Sequence, residues 1–137
     1  MKSISIFTWT SWSQGIYFAL TGVWPLLSIE TFQMVTGRKT DHLVIGEEAD
    51  HWLVKTVGAL VAANAVVFIA AAWNHRSTID VAILGITSAA ALAAIDVVYV
   101  TRQTISPIYL VDAIVEAVLI ALWATALHKN RHLLRRP

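Results

Sequence analysis

The stretch WLVKTVGALVAANAVVFIAAAW, residues 52–73, carries a single charge, Lys55, and no proline. A hydrocarbon core about 30 Å thick is crossed by roughly 20 apolar residues rising 1.5 Å each, so this run reads as a membrane-spanning helix. Working outward, residues 79–100, IDVAILGITSAAALAAIDVVYV, form a second such run behind the short link Asn74 to Thr78. A third covers 107–127 and opens on Pro107, which suits a first helical turn. Upstream, the sequence is uncharged from Ser3 to Ile29, giving a helix over about 12–32 if it continues past Pro25. That proline deletes one backbone hydrogen bond and predicts a kink.

The expected fold is therefore all-α: a four-transmembrane-helix bundle running up-down-up-down, with both termini on the same side. It fills one integral membrane domain, residues 1–137, with helices at about 12–32, 52–73, 79–100 and 107–127. A long polar loop spans 33–51 and a basic tail 128–137. The first segment also follows Lys2 as a secretory signal would. Its apolar run exceeds the usual 7 to 15 residues of a signal core, and no small-x-small site closes it, so it reads as a retained helix.

Composition agrees. Hydrophobic residues make up 57% and charged ones 14%, where an ordinary soluble domain carries about 25% charged. With no cysteine there is no disulfide framework, thiolate metal site or thiol nucleophile. A net charge of +1 gives no footprint for nucleic acid, and phosphate loops, nucleophile elbows and H-E-x-x-H pairs are absent. Nothing in the sequence calls for a cofactor.

Four crossings place Lys2, Arg76, Lys129, Arg131, Arg135 and Arg136 on the side of the termini, and Arg38, Lys39, Lys55 and Arg102 on the other. The positive-inside rule then makes the termini cytoplasmic in a multi-pass protein of the cell membrane. Trp9, Trp12, Trp73 and Trp123 are expected as an aromatic belt near the terminal face, with Trp52, Tyr99 and Tyr109 near the opposite one. The basic tail reads as a topology anchor rather than a lipid-specific site.

Helices in lipid associate through close backbone approach, so small residues mark their seams. Gly58, Ala62 and Ala65 form such a stripe, as do Gly85, Ala89 and Ala93, which continues to Asp96. Ala113, Ala117, Ala121 and Ala124 are expected to form a third. Asn64, mid-helix, is expected to hydrogen-bond to a neighbour, with ligand contact the lesser use.

The acids carry the functional reading. Asp112 and Glu116 are four apart and share a helix face, which Tyr109 extends outward. Asp96 lies six residues before Arg102, at the depth Asp112 reaches from the other arm of the hairpin. A charged carboxylate near a helix centre costs about 2.5 to 3.5 kcal/mol on insertion scales. Three together must share protons, pair with Arg102 or Lys55, or open to water. Asp96, Asp112, Glu116, Tyr109, Asn64 and Arg102 are thus candidates for binding a proton or substrate. The bland alternative is a set of buried interhelical hydrogen bonds.

The loop carries Asp41-His42 and Asp50-His51, and Glu48 with His51 has the Glu-x-x-His spacing of di-iron bundles. Such bundles need two units and further glutamates, so these five residues read as a solvated loop rather than a metal site. His128 and His132 are also i, i+4 but read as interfacial.

Gly15-Ile16-Tyr17, Thr21-Gly22-Val23-Trp24-Pro25-Leu26, Thr31-Phe32, the run from Val35 to Asp41 and the run from Trp52 to Gly58 resemble small bacterial membrane proteins of unknown function. Ala94 to Val100 and Ile105 to Asp112 add to the likeness, which covers most of the chain. The layout is also loosely similar to DoxX-like four-helix proteins, a likeness of size and helix count that implies a fold and no activity. It implies a bacterial inner membrane as the setting.

Three function classes follow. One is an enzyme or receptor in which a neutral carboxyl meets a lipid-like or apolar small molecule; small four-helix isomerases of the emopamil-binding type show that layout, without motifs shared here. Another is a proton-coupled transporter built as a homo-oligomer, since four helices leave little room for a pathway. The last is an accessory subunit whose acids pair with a partner's basic residues. The residues favour a membrane-embedded binding protein with a titrating carboxylate site.

Overall fold

The computed structural model describes residues 5–37 and 47–130, apart from the side chains of residues 47–50. Five helices follow one another: α1 (Ile6–Leu27), α2 (Ile29–Thr36), α3 (Glu47–Trp73), α4 (Ile79–Thr101) and α5 (Tyr109–Lys129). By length and composition α3, α4 and α5 can each cross a membrane, and α1 with α2 makes a fourth span only if the bent pair counts as one.

The helix expected over 12–32 is thus two helices. The first starts at Ile6 because Ser5 caps it: Ser5 is extended and its hydroxyl accepts from the Thr8 N–H at 3.2 Å, covering a backbone donor that no helical carbonyl can reach. Pro25 does not end α1, which runs on to Leu27. The chain breaks at Ser28, far more sharply than a proline kink, and α2 leaves at 115°. Ser28 serves both sides of the corner. Its N–H donates to the Trp24 carbonyl (3.0 Å) as α1 ends, and its hydroxyl accepts from the Thr31 N–H (3.4 Å) as α2 begins. Trp24 fixes the corner, its indole N–H donating to the Thr31 hydroxyl (3.0 Å) and its ring meeting Phe32 edge-on at 5.6 Å.

The bundle is built inside-out. Trp9, Leu20, Leu27, Leu60, Val66, Trp73 and Ile114 are each more than half exposed, while Thr8, Thr10, Ser11, Gln14, Asp96 and Glu116 are buried. A surface of contiguous large apolar side chains this extensive is not found on monomers in water; here it is consistent with embedding in a bilayer. Thr8, Thr10, Ser11 and Gln14 of α1 turn inward, which is how an uncharged but Ser/Thr-rich helix can still meet lipid on its other face.

α1 packs mainly on α3 and α4 mainly on α5, with α1 also reaching α5 and α4. Consecutive α3 and α4 touch little despite their short link. The α1–α3 crossing is a backbone contact: a Cβ on Gly22 would stand 2.6 Å from the Ala62 nitrogen and 2.7 Å from the Gly58 carbonyl oxygen. A Cβ on Gly58 would meet the Gly22 oxygen at 2.7 Å and the Pro25 ring at 2.9 Å. Both small-residue stripes of α3 and α4 face inward, with Gly58, Ala65, Gly85, Ala89 and Asp96 buried. The α5 stripe does not. Ala117, Ala121 and Ala124 are exposed, and the buried face is Ala113, Glu116, Leu119, Trp123 and Ala126.

That face also corrects the aromatic belt. Trp9 and Trp73 are largely exposed, as is Trp52, but Trp123 is fully buried. It lies edge-on to Phe7 at 5.9 Å and tilted to Phe68 at 6.5 Å. Its indole N–H donates to Gln14 Oε1 (2.6 Å), and Gln14 Nε2 donates to the Gly85 carbonyl (3.0 Å), tying α5, α1 and α4 together.

Candidate functional site

The cluster is assembled from three helices. α5 supplies Asp112 and Glu116 one turn apart, and α4 supplies Asp96 from the buried stripe that began at Gly85. α1 supplies Tyr17, whose hydroxyl donates to Asp112 Oδ1 in a short hydrogen bond. Asp96 is 6% exposed and Glu116 1%, so neither reaches bulk solvent, while Asp112 is half-buried. The Asp96 and Asp112 carboxyl groups face one another, and among the described residues no basic group acts on Asp96 or Glu116. Asp96 Oδ2 and Glu116 Oε2 have no hydrogen-bond partner. Buried polar atoms are almost always satisfied, and these two carboxyl oxygens are exceptions to that rule.

Of the residues singled out in the sequence, Asp96, Asp112 and Glu116 come together. Tyr109 stands at the outer edge of the group, half-buried, its hydroxyl influenced by Asp96 and Asp112 and its side chain meeting Thr36 of α2. Arg102 does not join them: it is exposed, with its guanidinium carbon 6.0 Å from the Tyr99 ring centroid. Asn64 is half-buried on α3, which adds no group to the cluster among the described residues. Asp41 and His42 lie outside the described residues, as do the side chains of Glu48 and Asp50 and all of His132. His51 opens the described part of α3, half-buried. Among the described residues no three His, Asp or Glu side chains are grouped so as to hold a metal ion.

Sequence reading missed Tyr17. A tyrosine in an uncharged helix has no partner until the rotation of α1 about its axis is known, and that rotation is set by Gly22 and Gln14 rather than by Tyr17. The spacing Gln14, Tyr17, Thr21 on one helix face was the available signal.

A recess of about 60 Å³ lies under α2, lined by Phe32, Gln33, Thr36, Val54, Ser106 and Tyr109 among others, and none of the three carboxyls lines it. A drug-sized or lipid-like ligand needs roughly 300 Å³ or more, so this space suits water and not such a molecule.

No protein-family model, curated protein or solved structure matches the chain. The resemblance to small bacterial membrane proteins and the DoxX-like layout therefore identify no family, and the site rests on its own geometry.

Proposed function

We propose that this chain is a four-span membrane protein whose Asp96, Asp112, Glu116 and Tyr17 form a reversible proton-binding site inside the bundle. The observation that carries the reading is the pair of buried, partnerless oxygens, Asp96 Oδ2 and Glu116 Oε2, in a group of three carboxyls with no basic side chain among them. Two negative charges buried beside a third carboxyl without a counter-charge would be prohibitively costly. Protons relieve that cost with no further space, and closely spaced carboxyls then titrate as one coupled set.

α1 counts as a span in this reading. Its 22 residues reach about 33 Å at 1.5 Å per residue, and α2 then lies across the bundle end. Both termini fall on one side, cytoplasmic by the positive-inside rule, which puts the cluster in the non-cytoplasmic half. Single cysteines report this directly in a chain that has none. An impermeant thiol reagent applied to intact cells is expected to label a cysteine at Thr40 and spare one at the exposed Thr78 of the link between α3 and α4. The reverse pattern would invert the orientation.

The burial of Asp96 and Glu116 weighs against an accessory subunit whose acids meet a partner's basic residues. An oligomeric proton-coupled transporter is the second reading, favoured by the exposed Ala117, Ala121 and Ala124 on the outer face of α5, where a second copy could approach closely.

The functional test uses shape-preserving variants. Trp123 sits on the same α5 face as Glu116, two turns on, and is fully buried, so with the other five tryptophans replaced by phenylalanine its fluorescence is a local reporter. Across roughly pH 5 to 9 the emission of this single-tryptophan protein is expected to shift with pH, whereas the same protein carrying Glu116→Gln or Asp112→Asn folds and stays flat. Variants that gain stability and show the same pH response as wild type would make the acids purely structural.

A further inference from the structure

We infer that the bundle is built as two helix pairs, α1 with α3 and α4 with α5, and that the bond from Tyr17 to Asp112 is a proton-sensitive latch across the seam between them. This deepens the proton-site reading and rests on it. Each pair is closely made: α1 meets α3 backbone to backbone at Gly22 and Gly58, and α4 packs on α5 as a hairpin. Between the pairs the packing is sparser. α3 and α4 touch little, although the chain passes from one pair to the other through the short link Asn74 to Thr78.

The seam is held differently at its two ends. Toward the termini, Phe7 of α1 and Phe68 of α3 lie against Trp123 of α5, with ring centroids 5.9 and 6.5 Å away. Gln14 of α1 joins the same level, accepting from the Trp123 indole and donating to the Gly85 carbonyl of α4. None of these groups gains or loses a charge with pH. One turn along α1 the side chain crossing the seam is Tyr17, and its bond ends on a carboxyl. At the outer edge Thr36 of α2 meets Tyr109, a contact between two uncharged hydroxyls.

Asp96, Asp112 and Glu116 all belong to the α4–α5 pair, so repulsion among them does not drive the two pairs apart. The groups facing Asp112 are Tyr17 from α1, Asp96 from α4, and Tyr109 and Glu116 from α5, with none from α3 among the described residues. The Tyr17 hydroxyl donates to Asp112 Oδ1. With Asp112 ionised that bond is charge-assisted, about twice as strong as the neutral bond left when the carboxyl takes up a proton. The latch is therefore strong at high pH and weakens as pH falls through the titration of the cluster. The seam then loosens at the Tyr17 end while Gln14 and the rings keep the other end joined.

Spin labels in the cysteine-free chain, reconstituted in vesicles, read the seam directly. One label pair crosses it, Thr56→Cys on α3 with Val111→Cys on α5, and another stays within a helix pair, Thr101→Cys on α4 with Val111→Cys; all three positions are exposed. From roughly pH 9 to roughly pH 5 the ratio of longer to shorter distances between 56 and 111 is expected to rise about tenfold, the difference between a charge-assisted and a neutral hydrogen bond. The distance between 101 and 111 is expected to stay fixed. Tyr17→Phe keeps the ring and removes the donor, and Asp112→Asn keeps the shape and removes the charge. Each is expected to show the longer distances at both pH values. Cross-seam distances that ignore pH, that still respond in either variant, or that change no more than the distance between 101 and 111 overturn the latch. If the carboxyl C=O infrared band of the same samples titrates, the proton site is left standing; if no carboxyl band titrates, both fall.

Discussion

Gly22→Leu is expected to prevent the bundle from assembling. At the α1–α3 crossing there is no side chain to move aside: the nearest atoms to a Cβ at Gly22 are the Ala62 nitrogen at 2.6 Å and the Gly58 carbonyl oxygen at 2.7 Å. Overpacking a core costs about 1–3 kcal/mol when flexible groups can shift. Here a leucine must force two helix backbones apart along the seam where α1 makes most of its contacts, so the effect lies at or above the top of that range. Helices in lipid have no hydrophobic drive to close the gap again. Thermal unfolding in detergent is expected to show loss of the cooperative transition in Gly22→Leu, with Gly58→Leu behaving alike. A variant melting within a few degrees of wild type would mean that the two backbones do not meet.

Trp123→Ala carries the second large effect. The substitution empties the largest fully buried side chain and strands Gln14 Oε1, which accepts from the indole at 2.6 Å. Large-to-small core changes of this kind cost about 3–5 kcal/mol. Trp123→Phe keeps a ring against Phe7 and Phe68 but loses the donor, so the cost falls to the roughly 1–3 kcal/mol of an unsatisfied buried acceptor. Trp73→Phe, at a position 72% exposed, is expected to stay within about 0.5 kcal/mol. Melting temperatures of the four proteins rank them: wild type and Trp73→Phe together, Trp123→Phe below, Trp123→Ala lowest. Equal behaviour of Trp73→Phe and Trp123→Phe would return Trp123 to the membrane interface.

These two positions show where sequence reading succeeds and where it stops. The runs over 52–73, 79–100 and 107–127 are legible because lipid leaves few ways to write a spanning helix, and the inward stripes of α3 and α4 follow from the need for small residues at a seam. On α5 the same rule misleads, since the alanines at 117, 121 and 124 face outward while Trp123 and Glu116 face in. Inside-out burial reverses the usual ranking: a tryptophan with a partner for its N–H is a better interior residue here than an alanine. The Ser28 corner was also present in the sequence, as Ser28 with Thr31 three residues on and Glu30 in the first turn, but Pro25 drew the break to itself. Gln14, Tyr17 and Thr21 showed only a shared helix face, and their partners stayed hidden because these depend on how α1 is rotated against helices remote in sequence.

The acids were legible for an energetic reason rather than a pattern, namely their cost in hydrocarbon. The bond from Tyr17 to Asp112 and the absence of Arg102 from the group support the proposed site. The most direct test of that site is the infrared difference spectrum of the membrane-reconstituted protein as pH is changed across roughly 5 to 9. A protonated carboxyl C=O band that appears and disappears with pH, and that is lost or displaced in Glu116→Gln and in Asp96→Asn, is the predicted result. A spectrum with no titrating carboxyl band, unchanged by either substitution, would contradict it.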